Sequence, residues 1–288
     1  MTVSFILAPS AALANEINAK VTIEAEYGSV VAEGTVYTAA HHQAGMEHLP
    51  APCNDQNIPV LDDGTVLVSH LDLDTFGGCL RTLASSNDLF NGNYQSFWNL
   101  AHFVDINGAH KLGQSGANDL DLLRLHAFWA WKRANVPYFS RDEVTDVSTF
   151  VSTAGDILRK IFAGDDALMD AGRKLIEDTK ILNKNTFKDI NGNVVVRVTD
   201  EEKGFCNHLY NTIEGQTFMA VAAYNKTYGT ITVSLADPVE GVSCREVMQN
   251  LFGPEAGGHD GIAGSPREKQ MTMEEFEQTA NELSNLLR

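Results

Sequence analysis

The sequence predicts an α/β protein with a parallel-sheet domain, a helical extension and a smaller α+β domain at the carboxyl end. A continuous apolar run at residues 65–70 is followed at once by a glycine-containing helical pattern, which is typical of a buried strand in a parallel sheet. Helical patterns dominate residues 118–182, and β-branched residues return from Val194 onward. We therefore predict two domains, at residues 1–185 and 186–288.

The first part of the chain predicts short strands that alternate with helices. The amino-terminal segment lacks the basic region of a signal peptide, and we interpret it as a first strand or helix. In residues 21–40, apolar and polar side chains alternate and two glycines give turn signals, which indicates two strands joined by a turn. The run at 65–70 predicts a further strand, and the next helix is expected near Gly77. Residues 102–105 are interpreted as another strand followed by a loop.

Longer helices and then strands are predicted beyond this point. Apolar residues in 118–134 recur with helical spacing, and a capping-box pattern at 140–143 favours a helix start there. The remaining predicted helices cover 142–162, 165–182, 242–252 and 273–287, and the remaining predicted strands cover 194–198, 218–224 and 230–235.

Composition narrows the classes of function. The chain has 288 residues, with 38 acidic and 21 basic side chains and a net charge of −17. Proteins that bind long nucleic acids usually present a basic face, so such partners are disfavoured. No apolar run approaches the roughly 20 residues of a membrane span, so no membrane partner is expected. The four cysteines form no C-x-x-C pair, which fits reduced thiols in a cytoplasmic protein. Homo-oligomerisation is left open.

The strongest chemical pattern follows the apolar run at 65–70. His70, Asp72 and Asp74 come at the carboxyl end of the predicted strand, where ligands bind in parallel α/β sheets. Imidazole and carboxylate together suit Mn²⁺, Fe²⁺ or Zn²⁺, and a divalent cation offsets the cost of burying neighbouring carboxylates. The sequence therefore predicts a metal site here. The alternative is a solvated loop in which an aspartate caps the next helix.

Two further segments add histidines and an acid. Adjacent His41 and His42 follow a predicted strand, and on an extended backbone they point to opposite sides. One could then bind a metal while the other faces a substrate. Asp105 is expected at the end of a strand, with His110 shortly after it. The alternative for Asp105 is a turn residue, since Asn107 begins an Asn-Gly turn signal.

A glycine-rich segment near the carboxyl end could bind an anion. Gly257 and Gly258 allow a backbone to approach a phosphate closely and to direct N–H groups at it. His259 and Arg267 could add charge-assisted hydrogen bonds. Glycine-rich loops are common, so this segment alone is only suggestive.

Together these segments resemble the DHH phosphoesterase superfamily with its DHH-associated carboxyl-terminal domain. The similarity covers both predicted domains in short islands. Residues 69–74 are similar to the first family motif and Val104-Asp105 to the second, while Gly257-Gly258-His259 with Ala263-Gly264 is similar to the G-G-G-H…A-A-G loop.

The resemblance implies hydrolysis of a phosphodiester or phosphoanhydride with two divalent ions. Mn²⁺ is the expected metal, and Mg²⁺, Fe²⁺ and Zn²⁺ are alternatives. A metal-activated water would attack phosphorus, and the substrate would be a small phosphorylated molecule. The expected metal ligands are His41, His70, Asp72, Asp74, Asp105 and His126; His42 and His110 would orient a phosphate oxygen or protonate the leaving group; Gly257, Gly258, His259 and Arg267 would bind the substrate.

The chain also departs from the family pattern at three positions, and at one of them, after Ser234, an expected arginine is absent and Arg245 or Arg267 could replace it. Ala40 precedes the histidine pair where the family has an aspartate, and this segment comes before the first motif, an order that a circular permutation would explain. Ala130 stands where the fourth motif has an aspartate, and His126 one turn earlier could replace it. The two alanines motivate an alternative, a non-catalytic nucleotide- or phosphate-binding protein. A zinc hydrolase or deaminase is a third, weaker interpretation.

Overall fold

The structure, a computed structural model, describes residues 3–25, 32–41, 46, 48–140, 142–186, 188–199, 210, 217–258, 260–266 and 269–288. Its architecture is α/β with a second, smaller α+β part, which confirms the predicted fold class. The chain divides into two units, Met1–Ile176 and Glu177–Arg288. The predicted division after residue 185 falls inside the second of these units.

The first unit is built on a five-stranded sheet in the order β3-β2-β4-β1-β5. Its strands are β1 (Val3–Leu7), β2 (Val21–Ile23), β3 (Tyr37–Ala39), β4 (Gly64–Val68) and β5 (Thr145–Asp146). The first four strands of this order run parallel, and β5 pairs antiparallel with β1. Because parallel neighbours need a crossover, the expected turn-joined pair at 21–40 is wrong. The carboxyl ends of β3, β2 and β4 lie side by side at one edge.

Helices cover this sheet and extend the unit. They are α1 (Ala11–Ala14), α2 (Leu73–Arg81), α3 (Gln95–Asn107), α4 (Asp119–Asn135), α5 (Ser148–Phe162) and the first part of α6 (Asp166–Thr186), which belongs to the second unit from Glu177 onward. The helix predicted over 118–134 is confirmed as α4, and the helix predicted to start near Gly77 is present as α2 but begins earlier, at Leu73. The capping box expected at 140–143 is wrong, because α5 begins only at Ser148.

Helix α3 replaces the strand expected at residues 102–105. The helix buries Phe97, Trp98, Leu100 and Ala101 on one face. That spacing is helical, and it sets the local structure because tertiary packing outweighs a short apolar stretch. Asp105 therefore projects from the last turn of a helix and not from a strand end.

Helix α2 packs very closely against the 3-10 turn at Pro52–Asn54. A Cβ atom placed on Gly77 would lie 2.5 Å from Cβ of Cys53 and 2.9 Å from Cζ3 of Trp98. A Cβ atom on Gly78 would lie 2.6 Å from Cβ of Pro52. All three distances are far below van der Waals contact, so the two glycines permit this approach of helix and turn.

A Gly77→Ala variant is therefore expected to be destabilised. Alanine normally stabilises a helix interior by about 1 kcal/mol relative to glycine. Overpacking against Cys53 and Trp98 reverses that sign, and we expect a loss of about 1–3 kcal/mol in the free energy of unfolding. Urea unfolding measures it. The control is Gly113→Ala, since a Cβ there meets no atom within 4 Å. Equal stability of the two variants would contradict the packing argument.

The second unit contains a six-stranded sheet in the order β10-β11-β9-β8-β7-β6. Its strands are β6 (Lys188–Ile190), β7 (Val194–Thr199), β8 (Ala220–Asn225), β9 (Thr230–Leu235), β10 (Gly257–Gly258) and β11 (Ile262–Gly264). Strands β7 and β8 are parallel, and the other neighbours are antiparallel. Helices α7 (Cys244–Phe252) and α8 (Met273–Leu286) confirm the predicted helix pair. Across the described ranges, no helix has the length and apolarity to cross a membrane.

Candidate metal centre

Three carboxylates of the first unit converge. Asp72, Asp74 and Asp105 each offer one oxygen, and these oxygens lie within 4.8 Å of one another. Strand β4 ends at Val68 and α2 begins at Leu73, so Asp72 and Asp74 enter from the strand-to-helix junction. Asp105 enters from α3. We name Asp72, Asp74 and Asp105 the acid group; a sheet edge and two helices bring these three acids together.

Asp72 has a structural role as well as a place in the acid group. Its Oδ1 accepts hydrogen bonds from the backbone N–H of Thr75 at 3.2 Å and from the Thr75 hydroxyl at 2.7 Å, which caps α2. Its Oδ2 lies 3.1 Å from Nε2 of His70. The helix-capping alternative from the sequence therefore holds for Asp72, and it does not exclude ligation through Oδ2.

Asp74 is the most deeply buried acid of the group. Its side chain is 3% exposed, and its Oδ2 accepts no hydrogen bond from the described residues. Burial raises the pKa of this carboxyl well above its ordinary value; the charge of Asp72 and a hydrogen bond to Asp72 raise it further, as do the charges of Asp105 and Glu24. A buried oxygen without a donor, among like charges, is the environment that a divalent cation relieves.

His41 joins Asp105 to a second buried acid. Its Nε2 lies 2.6 Å from Oδ2 of Asp105, and its Nδ1 lies 3.3 Å from Oε1 of Glu24. The histidine is 5% exposed and the glutamate 1%. Burial opposes a charged imidazole, but the two carboxylates outweigh it and raise the pKa of His41 to about 10. Both ring nitrogens thus contact carboxylates, and metal ligation by His41 stays a prediction.

The His41 contacts predict a pH dependence for the metal-free protein. The pKa of His41 is raised on folding, so its stabilisation is complete below about 6.5 and is lost as pH rises toward about 10. We expect the free energy of unfolding to fall by a few kcal/mol over this window, because one pKa unit corresponds to about 1.36 kcal/mol. Urea unfolding at several pH values measures it.

The matched controls are His41→Asn and His48→Asn. The first variant should flatten the dependence of unfolding free energy on pH, whereas the second changes an exposed histidine and should leave it intact. A steep dependence that persists in His41→Asn would contradict the assignment.

The other predicted histidines have varied surroundings. His70 is half-exposed, with Nδ1 2.9 Å from the Ser69 hydroxyl and Nε2 on Asp72 at the rim of the acid group. Nδ1 of His126 donates to the carbonyl of Leu122 in its own helix at 2.7 Å. The ring of His110 packs over Gly108, where φ is +84°. Neither His110 nor His126 belongs to the acid group among the described residues, and their roles stay predictions. His42 lies outside those residues.

Two residues near the acid group were missed by sequence reasoning. Glu24 directly follows β2. The sequence offered a signal for it, because an acid comes at the end of one predicted strand and His41 follows the next. Lys132 is half-buried on α4, and burial lowers its pKa although the charges of Asp72 and Asp74 oppose this. No spacing rule in the sequence links this lysine to the acids, because only the packing of α4 brings them near.

The glycine-rich segment of the second unit forms a narrow strand pair. Gly257 pairs with Gly264 and Gly258 with Ala263. Gly258 has φ +146°, and a Cβ there would lie 2.5 Å from Cα of Ala263, so close strand pairing requires this glycine. Nε of Arg245 donates to the Gly258 carbonyl at 2.8 Å and holds the segment. His259 and Arg267 lie outside the described residues. Substrate binding here stays a prediction.

Comparison with known proteins leaves the chain without an assigned family. No family model and no curated protein matches it. Among solved structures it is similar to a pGpG-specific phosphodiesterase from Vibrio cholerae, with 13% identity and a TM-score of 0.35 over 58% of this chain. The chain spans 56% of that protein's length. It is also similar to an uncharacterized protein from Helicobacter pylori G27, with 10% identity and a TM-score of 0.23, over 76% of this chain and 68% of that one.

Proposed function

We propose that this protein is a metal-dependent phosphoesterase, of the DHH type, that hydrolyses a small phosphodiester or phosphoanhydride. The observation that carries the proposal is the convergence of Asp72, Asp74 and Asp105 around a buried Asp74 oxygen without a hydrogen-bond donor in the described structure. Structural ion pairs place a cation of the protein against such oxygens. Here the charges that raise the pKa of the Asp74 carboxyl are those of other acids, and the nearby cation of the protein, Lys132, has its own pKa lowered by burial.

The chemistry of the donors favours a hard cation. The acid group consists of carboxylate oxygens alone, and such ligands suit Mn²⁺ and Mg²⁺ better than Zn²⁺. We therefore propose Mn²⁺, with Mg²⁺ as the alternative. The number of ions, two, rests on the sequence resemblance.

Different residues of this chain would have different roles at such a site. Asp72, Asp74 and Asp105 would hold the metal, and His41 would hold Asp105 in place through the 2.6 Å contact. His70 is half-exposed beside Asp72, so it can contact a substrate oxygen or hold a proton at the rim of the acid group. A divalent ion bound there would lower the pKa of a bound water and offset phosphate charge.

The charge of the whole chain restricts the substrate. A net charge of −17 repels long polyanions, because their binding depends on many phosphate contacts with basic side chains. A small phosphate ester makes its main contacts at the metal. We therefore propose a small nucleotide-like substrate that is recognised by its phosphate group.

Metal analysis and a substrate panel test the proposal together. Protein purified without chelator is analysed for bound metals and then assayed with Mn²⁺ or Mg²⁺ on a linear dinucleotide, inorganic pyrophosphate and bis(p-nitrophenyl) phosphate. We expect bound Mn²⁺ and hydrolysis of at least one substrate, lost in EDTA and restored by Mn²⁺. Absence of metal binding would overturn the proposal.

A second candidate function is phosphate or nucleotide binding without hydrolysis. Ala40 and Ala130 favour it, because each alanine removes an expected acid. Metal-dependent binding of a nucleotide, with no turnover of any substrate in the panel, would select this candidate over the phosphoesterase.

A further inference from the structure

We propose that Glu24 is a positioning residue that fixes the imidazole of His41 and, through it, the carboxylate of Asp105. The catalytic consequence rests on the proposed function. The contact itself belongs to the metal-free chain and can be tested without any activity. Glu24 matched no motif in the sequence.

The contacts form a continuous path from Glu24 to the acid group. Oε1 of Glu24 lies 3.3 Å from Nδ1 of His41, and Nε2 of His41 lies 2.6 Å from Oδ2 of Asp105. Asp105 in turn supplies one of the three oxygens within 4.8 Å of one another. Contact with one carboxylate leaves an imidazole free to tilt about that contact. Contact at both nitrogens restrains the ring at two points.

The backbone at Glu24 is strained in a way that serves this contact. Its φ is +49°, a left-handed conformation that is uncommon for residues other than glycine, asparagine and aspartate. Two hydrogen bonds hold it there. The N–H of Glu24 donates to the carbonyl of Ala39 at 2.8 Å, and the carbonyl of Glu24 accepts from the hydroxyl of Ser69. Strain that neighbours enforce in this way is concentrated at functional sites.

The sheet explains why this position suits a positioning role. Strand β2 lies between β3 and β4, and Ile23 is in register with Ala39 on one side and Val68 on the other. Glu24 is therefore the first residue beyond the middle strand. The segment with His41 leaves β3 on one side of it, and the segment with Asp72 and Asp74 leaves β4 on the other side. A side chain at this place can support both segments.

Two substitutions distinguish the effect of the Glu24 carboxylate from the effect of the backbone conformation at this residue. Glu24→Gln keeps the size of the side chain and removes its charge. Glu24→Gly removes the side chain but accepts the positive φ without strain. The matched control is Glu16→Gln, which changes an exposed glutamate in the same unit.

We expect Glu24→Gln and Glu24→Gly to weaken Mn²⁺ binding and to lower kcat by about 10- to 100-fold, the usual effect of losing a partner that orients a metal ligand. KM should change much less, because Glu24 does not touch the substrate. In Glu24→Gly, relief of the positive φ offsets part of the stability that is lost with the His41 contact. Glu16→Gln should match the wild type in every measurement.

A second measurement reads the contact directly. The ¹⁵N chemical shifts of the His41 ring are recorded in metal-free wild type and in Glu24→Gln, and we expect the Nδ1 shift to change with the variant. Unchanged ring shifts with unchanged Mn²⁺ affinity would overturn the proposal. Failure of both Glu24 variants to fold would also overturn it, since Glu24 would then be purely structural. A shift change in a protein whose wild type shows no hydrolysis would leave Glu24 as a positioning residue and refute the phosphoesterase.

Discussion

Replacement of Asp74 by asparagine is expected to abolish Mn²⁺-dependent hydrolysis while leaving the metal-free protein at least as stable as the wild type. Losing an orienting partner of a ligand already lowers activity about 10- to 100-fold, so losing a ligand should lower kcat by more than about a hundredfold. The metal-free protein should keep or gain stability, because burial and the charges of Asp72, Asp105 and Glu24 disfavour the ionised Asp74 carboxyl. Steady-state kinetics and thermal unfolding in EDTA measure the two effects.

Asp121→Asn is the matched control for a buried acid of the same unit. Asp121 is 1% exposed, accepts from Nη1 of Arg124 at 2.9 Å and from Nδ2 of Asn118 at 2.8 Å, and so has a structural environment. Its replacement should lower the Tm and leave kcat unchanged, the opposite pattern to Asp74→Asn. If Asp74→Asn instead lowered stability and kept activity, Asp74 would be a structural acid and the metal proposal would lose its support.

Phe76→Ala is expected to lower the free energy of unfolding of the first unit by about 3–5 kcal/mol, the usual range for removal of a fully buried phenylalanine. Phe76 lies on α2 and is 0% exposed, with ring centroids 5.8 Å from Phe128 and 6.2 Å from Trp131. Removing the ring leaves a cavity between α2 and α4. Because α2 also carries Asp72 and Asp74, the variant should bind Mn²⁺ more weakly even where it stays folded.

Tyr138→Ala provides the comparison for Phe76→Ala. Tyr138 is 88% exposed, so its removal should change the free energy of unfolding by no more than about 0.5 kcal/mol. Urea unfolding followed by circular dichroism compares the two. If Phe76→Ala lowered the free energy of unfolding by less than about 1 kcal/mol, the surrounding side chains would have closed around the missing ring. That result would contradict the close packing of α2.

The part of the candidate site that lies close together in the chain could be predicted from the sequence. A buried apolar strand followed by His70, Asp72 and Asp74 is expected in a parallel sheet, with these side chains at its carboxyl end. Strand β4 has this position. The glycines that follow were interpreted only as the opening of a helix. Their close contact with the Pro52–Asn54 turn depends on three-dimensional packing, and the sequence carries no separate signal for that contact.

The distant parts of the site were harder to predict. Asp105 was expected at a strand end, yet it arrives from α3, because a short apolar stretch does not distinguish a strand from a buried helix. Glu24 was missed because its partner, His41, follows a different strand, and the parallel pairing of β2 with β3 brings the two residues together. His126 was predicted to replace the aspartate of the fourth motif; its Nδ1 donates within its own helix, and metal ligation by this residue stays a prediction.

The close packing of α2 has a consequence for ionic radius. Gly77 and Gly78 bring the helix against the Pro52–Asn54 turn, so the backbone that follows Asp72 and Asp74 is closely packed on that side. Ca²⁺ requires oxygen distances of about 2.3–2.6 Å in a flexible shell, whereas Mg²⁺ fits a shorter and stricter shell at about 2.0–2.1 Å. We expect a rigid acid group to select small divalent ions, with Ca²⁺ a weak competitor for Mn²⁺, and a Gly77→Ala variant that still folds to lose part of that selectivity.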